Sequence, residues 1–266
     1  MNAIVVTGVA GGVGFQVAKK FLSEGYKVFG LDINSPKEEL DNLVYIKTDL
    51  RSELEVINAF NVVKESGLEI NSIISTAGIY DLNSLVEMSE EDFIKMFDIN
   101  VFAMYRVNKI FLPLLKEHGK VIMISSELAP LDPLPFNGIY SITKATVEKY
   151  AYSLRMELQL LNRQVVVIRP GAIDTQMTEN SIRKIEKFTQ ETAYYQYNSK
   201  RFMKIVNSVE SKIIPPEKVA NLIYKVSNKK KPRYVYKINR NPLLLLLNAM
   251  PQKFQNWIIK KILTSK

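Results

Sequence analysis

The chain has 266 residues, 47% hydrophobic and 24% charged, with a net charge of +9, and this composition fits one α/β domain with a substantial core. It contains no cysteine, which excludes disulfides, thiol nucleophiles and cysteine-metal sites. The single histidine, His118, argues against a histidine-rich metal centre or a Ser-His-Asp triad; its neighbours Lys116, Glu117, Gly119 and Lys120 suggest a helix C-terminus and a structural role.

In chain order, residues 3–6 read as a strand, 12–22 as a helix, and 27–31 and 44–46 as strands. Residues 53–64 read as a helix, 72–75 as a strand, and 90–115 as a long helical region divisible into two helices. A strand over 121–124, a helix over 140–161 and a strand over 165–168 follow. Short β-branched strands alternating with helices predict a doubly wound parallel sheet, a three-layer α/β/α Rossmann fold, in one domain spanning residues 1–240. The N-terminus lacks the pattern of a signal peptide, and no apolar run approaches the roughly 20 residues that span a bilayer. A soluble cytoplasmic protein is the default expectation.

The first strand–helix junction reads Thr7-Gly8-Val9-Ala10-Gly11-Gly12-Val13-Gly14. Glycines there let the backbone turn tightly and approach a pyrophosphate, while the helix offers free N–H groups. Many strand–helix turns need a glycine for packing alone; this one has the strand before it and the helix after it that a nucleotide turn requires. Asp32, at the end of the second strand, can accept hydrogen bonds from both adenosine ribose hydroxyls and would repel a 2′-phosphate; its alternative is a helix or turn cap.

Residues 125–144, SSELAPLDPLPFNGIYSITK, carry the candidate chemistry. Tyr140 and Lys144 stand four apart, on one face of a helix, where the cation would favour the phenolate and draw its pKa toward a range useful for proton transfer. The apolar run Val121-Ile122-Met123-Ile124 ends in Ser125-Ser126, whose hydroxyls can face that tyrosine across a cleft. Tyr-x-x-x-Lys alone is a weak signal, equally suited to an ordinary amphipathic surface.

Taken together, the motifs resemble those of the short-chain dehydrogenase/reductase family over roughly residues 2–235. The resemblance rests on Thr7-Gly8-x-x-x-Gly12-x-Gly14, Asp49-Leu50, Ala77-Gly78, Asn100, Ser126, Tyr140, Lys144 and Pro170-Gly171-Ala172-Ile173-Asp174-Thr175, in the family's order. It implies cofactor contacts from Gly8, Gly12, Val13, Gly14, Asp32, Asp49, Leu50, Ala77, Gly78, Tyr140, Lys144, Pro170, Gly171, Ile173 and Thr175. It implies catalysis by Asn100, Ser126, Tyr140 and Lys144, with no metal. Tyr140 would exchange a proton with the substrate oxygen and Ser126 would orient that oxygen. Lys144 would lower the phenol's pKa and hold the nicotinamide ribose, and Asn100 would bind a water leading to solvent. The expected activity is hydride transfer between NAD(H) and a hydrophobic alcohol or ketone, of retinol, steroid or lipid type. NADP(H) is the alternative cofactor, disfavoured by Asp32 with Lys37 as the nearest following cation. A catalytically weak nucleotide-binding sensor or scaffold of the same fold is the alternative function. Homodimers or homotetramers are implied, pairing through the helices of Asn100 and Tyr140, with Met104, Tyr105, Ile110, Phe111 and Leu114 supplying apolar surface.

Three departures from the pattern stand out. Ser75-Thr76 replaces the usual pair of asparagines before Ala77-Gly78. Ser126 lies fourteen residues before Tyr140, one more than usual, implying an insertion in the loop 130–135, with Ser125 as the fallback. Glu127 is an acid where the family seldom has one, at a solvated rim or against a polar group of the substrate.

Residues 175–215 fall where the family builds a substrate lid. Met177, Phe188, Tyr194, Tyr195, Tyr197, Phe202 and Met203 there suit either lid packing or an apolar pocket. The tail, 241–266, repeats Leu243, Leu247, Met250, Phe254, Trp257 and Ile258 at helical spacing, with a break at Pro251. Ten Lys and Arg and no acid lie from Lys229 onward, so the tail region carries +10 and the rest of the chain −1. That asymmetry argues against nucleic acid as a partner. The tail could lie in a membrane interface, fold over the substrate cleft or join a neighbouring subunit.

Overall fold

The computed structural model describes residues 2–209 and 213–264. Seven parallel strands form one sheet in the order β3-β2-β1-β4-β5-β6-β7. They are β1 (Ala3–Thr7), β2 (Lys27–Asp32), β3 (Leu43–Lys47), β4 (Ile70–Ser75), β5 (Leu115–Ile124), β6 (Gln164–Pro170) and β7 (Val235–Ile238). The helices between them are α1 (Gly12–Ser23), α2 (Glu53–Glu65), α3 (Glu90–Phe97), α4 (Ala103–Phe111), α5 (Gly138–Leu158), α6 (Gln176–Glu191), α7 (Gln196–Val209) and α8 (Pro216–Ser227), and the tail forms α9 (Pro242–Asn248) and α10 (Gln252–Thr264).

Alternation along β1 shows why the chain makes three layers. Val5 joins Phe29, Val56, Phe111 and Val147 under α2, α4 and α5, whereas Ile4 and Val6 join Val17, Phe21, Val219 and Ile223 under α1 and α8. Successive side chains of a strand point to opposite faces, so a strand apolar throughout must be covered twice. Truncating one such fully buried side chain costs about 2–5 kcal/mol. The strand order reverses at β1, between β2 and β4, and this opens a crevice beyond their C-terminal ends.

Several local expectations change. The helical region at 90–115 is α3, a π-helical turn at Asp98–Phe102, α4 and a short 3₁₀ turn at Leu112–Leu114. β5 begins at Leu115, so His118 is in a strand segment, not at a helix C-terminus; it is exposed and adopts φ 59°. Met104 and Phe111 face the core rather than an outer surface, while Phe102 and Tyr105 are exposed. Of the substituted pair at the end of β4, Thr76 still braces the sheet, its Oγ1 donating to Thr7 O at 2.6 Å, whereas the buried Ser75 Oγ has no hydrogen-bond partner.

A third apolar cluster lies outside the sheet: Leu82, Phe136, Ile185, Phe188, Phe202 and Leu263. It joins the lid helices α6 and α7 to α10, so the tail folds back over the body. Asn198 Nδ2 donates to Leu263 O at 2.9 Å, Arg201 Nε donates to Ile262 O, and Asp132 N donates to Asn248 Oδ1 at 2.7 Å. Of the lid residues singled out above, Phe188 and Phe202 are packed inside, and Tyr194 and Tyr197 are exposed. Residues 210–212 and Lys266 lie outside the described residues.

Candidate active site

A single cavity of about 1320 Å³ runs from the glycine turn to the tail. At one end are Gly8, Gly12, Val13, Gly14, Asp32, Asp49 and Leu50; midway are Ala77, Gly78, Ser126, Tyr140, Lys144, Pro170, Gly171, Ile173 and Thr175. Of the residues expected at the site, Asn100 alone does not line it.

The turn after β1 is built tightly. Gly8 adopts φ +72°, and a Cβ on Gly14 would come within 2.1 Å of Gly8 O, so α1 starts hard against the end of β1. Thr175 closes over the turn: a Cβ on Gly12 would meet its methyl at 2.8 Å. Asp32 Oδ2 accepts from Ala10 N at 3.0 Å and Oδ1 from Asn34 N at 3.0 Å, which fastens a carboxylate beside the turn. Asp49 pairs with Arg51 at 2.6 Å, and that guanidinium holds its carboxyl below the usual range. A narrow glycine cradle at a helix start with an acid beside it fits a dinucleotide.

α5 carries Tyr140 and Lys144 one turn apart, with Lys144 Nζ 5.6 Å from the Tyr140 ring centroid. Ser126 stands beside the phenol and opposes the effect of burial on its pKa. The serine displaced by one position is therefore the one at the tyrosine. Ser125 instead donates to Glu148 Oε1 at 2.9 Å, within a cluster containing Arg169, and is not a substitute. The expected drop in the phenol's pKa is not found: burial pushes it up to about 12. Lys144 Nζ donates to Ile124 O at 3.1 Å, and desolvation brings its pKa down to about 8. An ammonium directed at a backbone carbonyl does not stabilise the phenolate as the sequence spacing suggests.

Asn100 sits in the π-helical turn, a distortion common at functional sites. Its Nδ2 donates to Ile79 O at 2.9 Å and Thr143 Oγ1 at 3.1 Å, and its Oδ1 accepts from Ile79 N at 2.8 Å. Both ends of the amide are thus engaged in tying the loop after β4 to α5. A Cβ on Gly78 would stand 3.2 Å from Asn100 Oδ1 and 3.6 Å from Lys144 Nζ.

Sequence reasoning missed one contributor. Tyr80 packs edge-on against Tyr140, with ring centroids 4.4 Å apart, and the aromatic two positions after Ala77-Gly78 was the available signal. The tail supplies the far wall through Leu244, Leu247, Ile258, Ile259, Ile262 and Leu263. Glu127 is not a solvated rim: it is 7% exposed, lines the cavity, and its Oε2 accepts from Asn241 N at 2.7 Å. Burial raises its pKa, against the opposing effects of the Asn241 amide and Arg240.

Comparison with known proteins gives a consistent result. The family model "short chain dehydrogenase" matches residues 2–186. A 3-ketodihydrosphingosine reductase of Bacteroides thetaiotaomicron is 27% identical over 96% of this chain and 92% of its own length. An NADPH-dependent 3-dehydrocapnine reductase of Ornithobacterium rhinotracheale is 31% identical over 88% of each chain. Among solved structures, a short chain dehydrogenase from Burkholderia cenocepacia in complex with NADP superposes with TM-score 0.73 at 19% identity, covering 100% of this chain and 98% of that one. A 3-ketoacyl-(acyl-carrier-protein) reductase from Brucella melitensis complexed with NADH gives TM-score 0.73 at 17% identity, covering 89% and 96%.

Proposed function

The chain belongs to the short-chain dehydrogenase/reductase family of NAD(P)-dependent oxidoreductases, and from that premise we propose that it reduces a hydrophobic ketone to the alcohol, or the reverse, with Tyr140 as proton donor and acceptor. The observation that carries this reading is the continuous cavity, in which the Ser126–Tyr140 pair stands between the glycine turn and an apolar chamber. A relative named for a 3-keto compound supports a ketone as the substrate.

Bound nicotinamide dinucleotide would supply or take up the hydride at the substrate carbon. Gly8, Gly12, Val13, Gly14, Thr175 and Asp32 would hold its adenosine and pyrophosphate, and Pro170, Gly171 and Ile173 its nicotinamide side. In reduction, Tyr140 Oη gives its proton to the carbonyl oxygen; a phenol held near pKa 12 by burial is fully protonated at neutral pH, as that direction needs. Ser126 orients the oxygen. The Lys144 ammonium would hold the ribose, and Asn100 keeps the loop and α5 in register. The apolar walls exclude water from the reacting atoms.

NAD(H) is the proposed cofactor, because the Asp32 carboxylate stands beside the turn and Arg51, a cation of the cavity wall, is already paired with Asp49. The test is steady-state reduction of long-chain ketones with NADH and with NADPH, followed by nicotinamide absorbance. Tyr140→Phe should lower kcat about 10²–10⁴-fold with cofactor affinity little changed, and Asp32→Ala should narrow or reverse the preference for NADH. Normal turnover in Tyr140→Phe sinks the proton-transfer role; a wild type that favours NADPH sinks the cofactor assignment. A chain that binds cofactor and reduces nothing would be the sensor or scaffold instead.

Two further readings concern partners. A homodimer or homotetramer pairing through α4 and α5 is supported by Phe102, Tyr105, Tyr152 and Met156, which stand exposed on those helices and the turn before α4. Light scattering should show no monomer at micromolar concentration, and a purely monomeric result would refute the pairing. Peripheral contact with an anionic membrane through the tail is supported by its exposed apolar face and its charge. No helix among the described residues is long and apolar enough to cross a membrane.

A further inference from the structure

Glu127 sits inside a turn that begins at Ser126. Ser126 Oγ accepts from Leu128 N at 3.2 Å and Ser126 O from Ala129 N at 3.3 Å. Within that turn the Glu127 backbone N–H donates to Pro170 O at 2.9 Å, and its Oε2 accepts from the N–H of Asn241, which caps α9, at 2.7 Å. The nicotinamide-side turn meets the same segment of chain. Gly171 N donates to Ile238 O and Asn239 Nδ2 to Ala172 O, each at 2.9 Å. A Cβ on Gly171 would strike Asn239 O at 1.8 Å, so the two backbones pass at a distance that only glycine allows. Residues 238–241 thus hold the loop of Ser126 and the nicotinamide-side turn together, immediately before the helices that wall the chamber.

We propose that Glu127 is a positioning residue: through its bond to Asn241 it makes the placement of the Ser126 hydroxyl depend on the seating of the tail. This rests on the reading above, in which Ser126 orients the substrate oxygen. The carboxylate touches no reacting atom; it acts through the backbone. Asn241 is buried, so without an acceptor its N–H is left unsatisfied and the start of α9 must shift to find another. One planar peptide unit separates Ser126 from Glu127, and such a unit passes a displacement on rather than absorbing it. A shift of about 1 Å at a reacting group can lower a rate about 10²-fold. The other ties of the tail, at Asp132, Asn198 and Arg201, lie on the loop 130–135 and on α7. The one at Glu127 adjoins a catalytic residue.

The test uses the full chain and two ketones, one long enough to reach the wall at Leu244 and Ile258 and one too short. Glu127→Ala should lower kcat for the short ketone about 10- to 100-fold, with its KM and the cofactor affinity little changed. Glu127→Gln, which still offers an oxygen to Asn241 N, should recover most of that rate. If Glu127 only anchored the wall, Glu127→Ala would raise KM for the long ketone and leave the short one at the wild-type rate; that outcome overturns the proposal. A wild type that reduces neither ketone sinks the proposed function and this role with it. If Glu127→Ala fails to fold, two variants of its partner decide. Asn241 adopts φ −78°, which proline can take, so Asn241→Pro removes the N–H and the side-chain cap on Leu243 N, whereas Asn241→Ala removes the cap alone. The proline variant should fall about tenfold below the alanine variant in kcat for the short ketone, and equal rates in the two overturn the proposal.

Discussion

Lys144 shows at the scale of one residue how function and stability oppose each other. Its ammonium is buried with one backbone carbonyl as hydrogen-bond partner, and desolvation brings its pKa from the usual 10.5 to about 8. Below pH 8 the folded state therefore bears the cost of a buried charge. Between about 8 and 10.5 the unfolded chain still holds a proton that the folded chain has released, so stability rises with pH across that window. Lys144→Met removes the charge and keeps the packing. It is expected to melt at a higher temperature than the wild type at neutral pH, with the advantage shrinking as pH rises through the window and with turnover lost. Thermal melts of the cofactor-free proteins at several pH values check this; a variant no more stable than the wild type at neutral pH contradicts it. The same residue marks a limit of sequence reading, since the four-residue spacing indicates a shared helix face but not that the amine points at Ile124 O.

At the scale of elements, legibility followed the strength of the local pattern. The runs Ala3-Ile4-Val5-Val6 and Val165-Val166-Val167-Ile168 are β-branched apart from Ala3 and fully buried, and both were readable as central strands. β7 was not, because it is a short strand at the edge of the sheet and its burial is only partial. The start of β5 was hidden by Lys116, Glu117 and His118, charged or polar residues that look like a helix end. A π-helical turn shifts the hydrophobic spacing of a helix by a single position, too little to stand out from ordinary irregularity, so nothing in 90–115 announced the distortion around Asn100. In the site, the residues of the glycine turn and Tyr140 could be located because turns and helix faces impose fixed spacings. Glu127 stood out as an acid after Ser126, but a solvated rim and a place inside the cleft are told apart only once the loop is seen bonded to Pro170 and Asn241. The tail's periodicity was visible, but a helix with apolar residues on more than one side does not tell which side meets the body.

At the scale of the whole molecule, the tail joins the cavity to the outer surface. One side of α9 and α10 walls the chamber through Leu244, Leu247, Ile258 and Ile259, and is anchored by the bonds to Asn198, Arg201 and Asp132. The other side presents Leu246, Phe254 and Trp257 to solvent, each about half exposed (48–60%), with Phe254 and Trp257 stacked at 5.6 Å and Lys261 over the indole at 4.9 Å. Such a face, with Lys253, Lys260 and Lys261 on α10, suits an anionic lipid surface, and it would bring the chamber to the place where apolar substrates dissolve. Buried apolar area contributes about 25 cal/mol per Å² and each lysine near the surface about 1 kcal/mol, so binding should weaken in high salt without vanishing. The protein should sediment with anionic vesicles and not with neutral ones of the same size. Phe254→Glu/Trp257→Glu puts charge on the outer side and leaves the chamber wall intact. It should stay in the supernatant while reducing a short, water-soluble ketone at the wild-type rate. Failure of the wild type to sediment removes the membrane reading; loss of soluble-ketone reduction in the double variant shows that the outer side supports the fold of the tail instead.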